Sequence, residues 1–179
     1  MIYLALLRGI NVGGKSMVSM TTLKTCFEAL GFEDVQTVLN SGNVLFRTDR
    51  VGQGAITKTI EAGLLAEFDL PVKALLKTHD QLKDITAAIP KAWVNNIHTK
   101  CDVMFLWPEA DNPAVLAQLP TNPAIEEVQY VPGAVLWRVS RANQDKSRMT
   151  RIVSTPLYQH MTIRNPNTVR KLLALAETL

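Results

Sequence analysis

The run Val35-Gln36-Thr37-Val38-Leu39-Asn40-Ser41-Gly42-Asn43-Val44-Leu45-Phe46-Arg47 decides how this chain folds. Two short β-prone segments, Val35 to Leu39 and Val44 to Arg47, flank Asn40-Ser41-Gly42-Asn43, whose residues favour a tight turn. Strands that close together in sequence pair antiparallel, because a parallel partner needs a crossover of a dozen or more residues. The fold is therefore built on a hairpin.

Upstream, apolar Ile2 to Leu7 reads as a strand that runs into Arg8 and a glycine-rich segment, Gly9-Ile10-Asn11-Val12-Gly13-Gly14-Lys15-Ser16. Met20, Leu23, Phe27 and Leu30 then recur at helical spacing, with Ser19 or Thr21 as a candidate cap and Gly31 placed to end the helix. Downstream, Ile56, Ile60 and Leu64 mark a second helix closed by Asp69-Leu70-Pro71, and Val72 to Leu76 supplies a fourth strand. Strand, helix, hairpin, helix, strand is the ferredoxin-like split βαβ order.

The second half offers the same order in weaker pattern. Thr78-His79-Asp80-Gln81 has capping-box spacing before a helix carrying Leu82, Ile85 and Ile89, which stops at Pro90. Trp93 to Lys100 reads as irregular, Asp102 to Trp107 as a strand, and Asn112-Pro113 as the opening of a short helix. Glu127 to Val131 and Val135 to Val139 form a second hairpin across Pro132-Gly133. Asp145 to Ser154 reads as helical, Gln159 to Ile163 as an edge strand, and Asn165-Pro166 opens a helix with Val169, Leu172, Leu173 and Ala176 on its apolar stripe. The expected fold class is α+β, with two ferredoxin-like, mostly antiparallel subdomains in tandem plus a C-terminal helix. The expected boundaries are 1–77, a linking helix and irregular segment over 78–101, and 102–179.

With 47% apolar residues in 179 and a formal charge of +3, the composition is that of a globular domain able to bury a core without staples. No apolar run has the length of a membrane span and the opening strand is too short for a secretion signal, so the expectation is a cytoplasmic protein. Cys26 and Cys101 stand far apart, outside any metal-ligand spacing, and read as buried thiols. Arg138, Arg141, Lys146, Arg148 and Arg151 cluster with only Asp145 opposing them, which admits nucleic acid as a partner.

The glycine-rich segment carries the main chemical signal. Gly9 to Ser16 satisfies G-x-x-x-x-G-K-[ST], in which backbone N–H groups wrap phosphate, the lysine reaches the terminal phosphates and the hydroxyl holds Mg²⁺. A P-loop kinase or triphosphatase needs a parallel sheet and an acidic residue ending a second strand. The hairpin opposes the first, and neither Asp49 nor Asp102 supplies the second. Two readings then stand beside it: a tight strand-to-helix connection, and an anion site without hydrolysis. In the anion reading Arg8, Asn11, Gly13, Gly14 and Lys15 form one wall for a small anionic ligand such as a nucleotide. Arg164, Asn165 and Thr168, at the opening of the last helix, form another, with a plain helix cap as the competing reading. A cleft between the halves would bring the two walls together. No G-x-S-x-G elbow, H-E-x-x-H motif or cysteine–histidine pair in a recognisable catalytic motif is present in the sequence, so no reaction and no cofactor is assigned.

Three motifs resemble a known family. Ala5-Leu6-Leu7-Arg8-Gly9-Ile10-Asn11-Val12-Gly13-Gly14-Lys15, the hairpin Ser41-Gly42-Asn43-Val44, and Arg164-Asn165 followed by Asn167-Thr168-Val169 are similar to the signatures of bacterial domain-of-unknown-function family 1697. The resemblance implies a compact cytoplasmic α+β protein without an assigned activity. The chain departs from that pattern at Pro166, where the family usually shows tryptophan, and at Asn40, where glutamine is common. At the position of Ser16 the family often shows asparagine, which a Mg²⁺-binding hydroxyl would not tolerate.

Overall fold

A computed structural model describes residues 1–11, 18–39 and 41–179. The chain divides into two compact units, Met1–Leu82 with Ala174–Leu179, and Lys83–Leu173. In the first unit, β1 (Ile2–Arg8), α1 (Met20–Ala29), β2 (Glu33–Val38), β3 (Asn43–Arg47), α2 (Gln53–Phe68) and β4 (Lys73–Thr78) follow one another. The sheet order is β2-β3-β1-β4, with every neighbouring pair antiparallel. The split βαβ order puts the strands in this sequence, and the hairpin of β2 and β3 sets it.

Local chemistry explains the boundaries. The Ser19 hydroxyl accepts from the Thr22 amide at 3.0 Å to start α1, and Gly31, at φ 84°, turns the chain out of it. Asp69 takes the left-handed conformation, φ 51°, at the end of α2. Alternation along β1 sends Tyr3, Ala5 and Leu7 to the face covered by α1 and α2, where Leu23, Phe27, Ile56, Ile60 and Leu64 are fully buried. Phe46 is the centre of this core. It stacks on Tyr3 at 5.8 Å, meets Phe27 edge-on at 5.6 Å and lies 4.5 Å from Phe32. Truncating such a ring to alanine costs about 3–5 kcal/mol.

Next come α3 (His79–Ala88), β5 (Thr99–Leu106), β6 (Glu126–Val131), β7 (Ala134–Ser140), β8 (Met161–Arg164) and α4 (Pro166–Ala176). The capping box expected at Thr78 forms: Gln81 N donates to Thr78 Oγ1 at 3.2 Å, and Thr78 N donates to Gln81 Oε1 at 3.0 Å. The second sheet has the order β6-β7-β5-β8, again antiparallel throughout, so the plan of the first sheet recurs with β8 at an edge.

What changes is the covering layer. Where the first sheet carries α-helices, this one carries short 3₁₀ segments, among them Pro113–Gln118, Arg141–Lys146, Met149–Ser154 and Pro156–His160. The helix expected over Asp145 to Ser154 is thus two 3₁₀ turns. They break at Ser147, which is extended and whose hydroxyl accepts from the Met149 amide at 3.0 Å, offering the backbone a partner outside any helical ladder. Met149, Ile152, Val115, Leu119 and Leu157 from these segments pack on Met104, Leu106, Val135 and Trp137 of the sheet.

Candidate functional site

The chain leaves β1 at Arg8 and turns sharply, with Gly9 at φ 89° and Asn11 at φ 54°. Asn11 tolerates this left-handed backbone better than most residues because its short amide can bond locally. Here it does so across the loop: Asn11 Nδ2 donates to Val18 O at 3.0 Å, and Val18 N donates to Asn11 Oδ1 at 2.7 Å. Asn11, expected to touch a ligand, thus joins the two ends of the loop. Gly13, Gly14, Lys15 and Ser16 lie between those ends and outside the described residues.

The hairpin motif meets the same corner. Leu7 N donates to Gly42 O at 2.7 Å, and a Cβ on Gly42 would stand 2.4 Å from Ile10 Cγ2 and 2.9 Å from Leu7 Cβ. Asn43, fully buried, donates from Nδ2 to Val38 O and to Ser41 Oγ, each at 2.9 Å. Ser41 is thus held in the turn, the role its residue type suggests. Two motifs read separately in the sequence form one packed corner.

Charge gathers at the root of the loop. Arg8 pairs in register with Lys73 of β4, on the face of the sheet that also carries Leu4, Leu6 and Lys77. Cations gathered at one end of two neighbouring strands raise the local potential. Lys73 has the Glu61 carboxylate near it at 3.8 Å, and that carboxylate also accepts from Ala74 N at 3.0 Å. Lys73 belongs to this cation set and was not singled out in the sequence. The signal that finds it is register.

In the second unit Arg164 is 9% exposed at the end of β8 and donates from Nη1 to Thr162 Oγ1 at 3.0 Å and Ile163 O at 2.8 Å. Desolvation lowers its pKa to about 10, so it keeps its charge at neutral pH. Asn165 caps α4: its Oδ1 accepts from Thr168 N at 2.9 Å, and Pro166 brings no N–H. The side chain thus takes one of the amides that a ligand would use, as the cap reading expects. Asn167 has a structural task as well. It exchanges hydrogen bonds with Asn95, Nδ2 to Asn95 O at 3.1 Å and Asn95 N to Oδ1 at 3.2 Å. Arg170 adds bonds to Trp93 O at 2.9 Å and Pro90 O at 3.0 Å. The polar stretch after α3 is therefore fastened to α4, which the sequence did not indicate.

The other sequence candidates divide along similar lines. Arg138 pairs with Glu127, and Arg141 donates to Asn96 O, Asn95 Oδ1 and Gln144 Oε1, so two members of the basic cluster have structural partners. Both cysteines are buried and free, with burial pushing each thiol's pKa up, which keeps them protonated and inert. Among the described residues no group of three His, Cys, Asp or Glu side chains could hold a metal, and no helix is long and apolar enough to cross a membrane. An open cavity of about 340 Å³, lined by Met1, Ile2, Arg47, Thr78, His79 and Asp80, lies at the opposite end of β1 from Arg8. Among the described residues β1 pairs antiparallel on both sides, whereas P-loop chemistry uses a parallel sheet.

Two antiparallel sheets of one strand order, each with helical segments, define an α+β protein of duplicated plan. The chain belongs to the family described as Protein of unknown function (DUF1697), whose model matches residues 1–137. A search of curated proteins gave no match. Among solved structures the chain is similar to the conserved bacterial protein SP0830 from Streptococcus pneumoniae, at 24% identity over 98% of each chain with a TM-score of 0.83. That likeness establishes the fold. The family match ends within β7, so the Arg164-Asn165 motif lies beyond it.

Proposed function

We propose that this protein binds a small ligand bearing phosphate or carboxylate at the root of its glycine-rich loop, with Arg8, Lys15 and Lys73 as the cations and the loop amides around Gly13 and Gly14 as donors. The observation that supports it is the placement of Arg8 opposite Lys73 where the loop leaves the sheet. A bound anion would be drawn to both cations, and the Asn11–Val18 clamp closes the loop's ends without using either. Asn11 acts in this reading by shaping the loop, and Arg164, Asn165 and Thr168 stay outside the anion's contacts.

The test is calorimetric titration of inorganic phosphate and of ATP, with and without Mg²⁺, into the wild type, Lys15→Ala and Arg8→Gln. Binding that is independent of the metal and at least ten-fold weaker in both variants supports the reading. Binding that needs Mg²⁺ and vanishes in Lys15→Ala would return the P-loop alternative. Heats indistinguishable from dilution would overturn both.

A further inference from the structure

On one face of the second sheet, two buried polar groups at diagonal positions on adjacent strands have no protein partner among the described residues. Trp137 of β7 is 2% exposed and Glu126 of β6 is 6% exposed, yet neither Trp137 Nε1 nor Glu126 Oε1 has a hydrogen-bond partner among the described residues. Glu126 stands opposite Val139 and Val128 opposite Trp137. Alternation then puts Glu126, Val128, Trp137 and Val139 on a common face, with Glu126 and Trp137 as diagonal neighbours on adjacent strands. Diagonal positions lie about 7–8 Å apart at their α-carbons, within reach of an indole and a carboxylate.

The other polar side chains on that face are already engaged. Lys100 and Asp102, on β5 across β7 from Glu126, pair with each other at 3.2 Å. The second oxygen of Glu126 accepts from Asn122 N, closing the turn that leads into β6.

We infer that Trp137 and Glu126 hold one buried water molecule between them. The indole N–H can only donate and the carboxylate oxygen can accept, so the bridging species must do both. A bare cation would serve Glu126 and repel the N–H. An anion would do the reverse, whereas a water molecule both donates and accepts. The water ties the turn at Asn122 to the middle of β7.

Two measurements test it. In a high-resolution crystal structure of the wild type, a density peak should lie about 2.8–3.0 Å from both Trp137 Nε1 and Glu126 Oε1. In solution the Trp137 indole N–H, identified among three tryptophans by its loss in Trp137→Phe, should show a nuclear Overhauser contact to a long-lived water. A direct Trp137–Glu126 hydrogen bond, or no density between them, would overturn the inference. As a check that does not depend on crystals, the fall in melting temperature of the double variant Trp137→Phe/Glu126→Met should be smaller than the sum of the two single falls, because the first change already releases the water. Additive falls would count against a shared molecule. Should either variant fail to fold, the wild-type density decides.

Discussion

Gly42 packs so closely on Ile10 that a methyl group added to it would stand 2.4 Å from Ile10 Cγ2, with backbone φ already at 70°. Hairpin turn and glycine-loop root are therefore a single packed unit. Gly42→Ala should cost about 2–4 kcal/mol through overpacking and left-handed strain together. Urea unfolding followed by circular dichroism measures it, and a loss below about 0.5 kcal/mol would show that the corner yields easily.

Asn11 separates shape from contact. Asn11→Ala removes two hydrogen bonds and strains φ 54°, and should cost about 1–3 kcal/mol. Asn11→Gly removes the same bonds but relieves the strain, so it should fall between alanine and wild type. Equal losses in both would mean that backbone strain is not part of the asparagine's role.

The start of α4 offers a cap test. Asn165→Ala should destabilise by about 1 kcal/mol, whereas Asn165→Asp, which keeps the accepting oxygen and adds favourable charge at a helix N-terminus, should be near neutral. Phosphate affinity should be unchanged in both. A weakened affinity in Asn165→Asp with intact stability would place this asparagine at the ligand.

Asp102 predicts a dependence on pH. Burial raises its pKa above the ordinary 3.8, more than Lys100 and Arg141 lower it. The folded chain thus holds this proton to higher pH than the unfolded chain does. Its contribution to stability is full below pH 3.8 and is lost as pH rises through the folded pKa. Asp102→Asn, which does not ionise, should gain on the wild type as pH rises from 3 and hold a constant lead once Asp102 is ionised in the fold. Thermal unfolding across pH 3 to 7 measures this, and a lead that shrinks with rising pH would mean the Lys100 pair outweighs desolvation.

The fold was legible where period and turn chemistry agreed. The hairpin at Gly42, the cap at Ser19, the capping box at Thr78 and the stop at Gly31 are each set by residues next to one another, and each formed. The 3₁₀ layer was not legible, since helical spacing at Met149, Ile152 and Val153 does not distinguish an i+4 ladder from an i+3 one, and the Ser147 hydroxyl decides it locally. Of the site, sequence found Arg8 and the loop but not Lys73, which joins them only through strand register. It found Asn11 and Asn165 and left open what they do. An asparagine that caps, clamps or binds looks the same until its neighbours in space are known.

One difference between the two sheets has a bearing on how the protein ages. The first is roofed by α1 and α2, whose amides share long runs of internal bonds, and the second by brief 3₁₀ turns that each close few. Under heat or solvent exchange the second roof should open first, surrendering its amide protons while the first still guards its own. Two copies of one blueprint would then differ in endurance, and the Trp137 indole would be the first to report it.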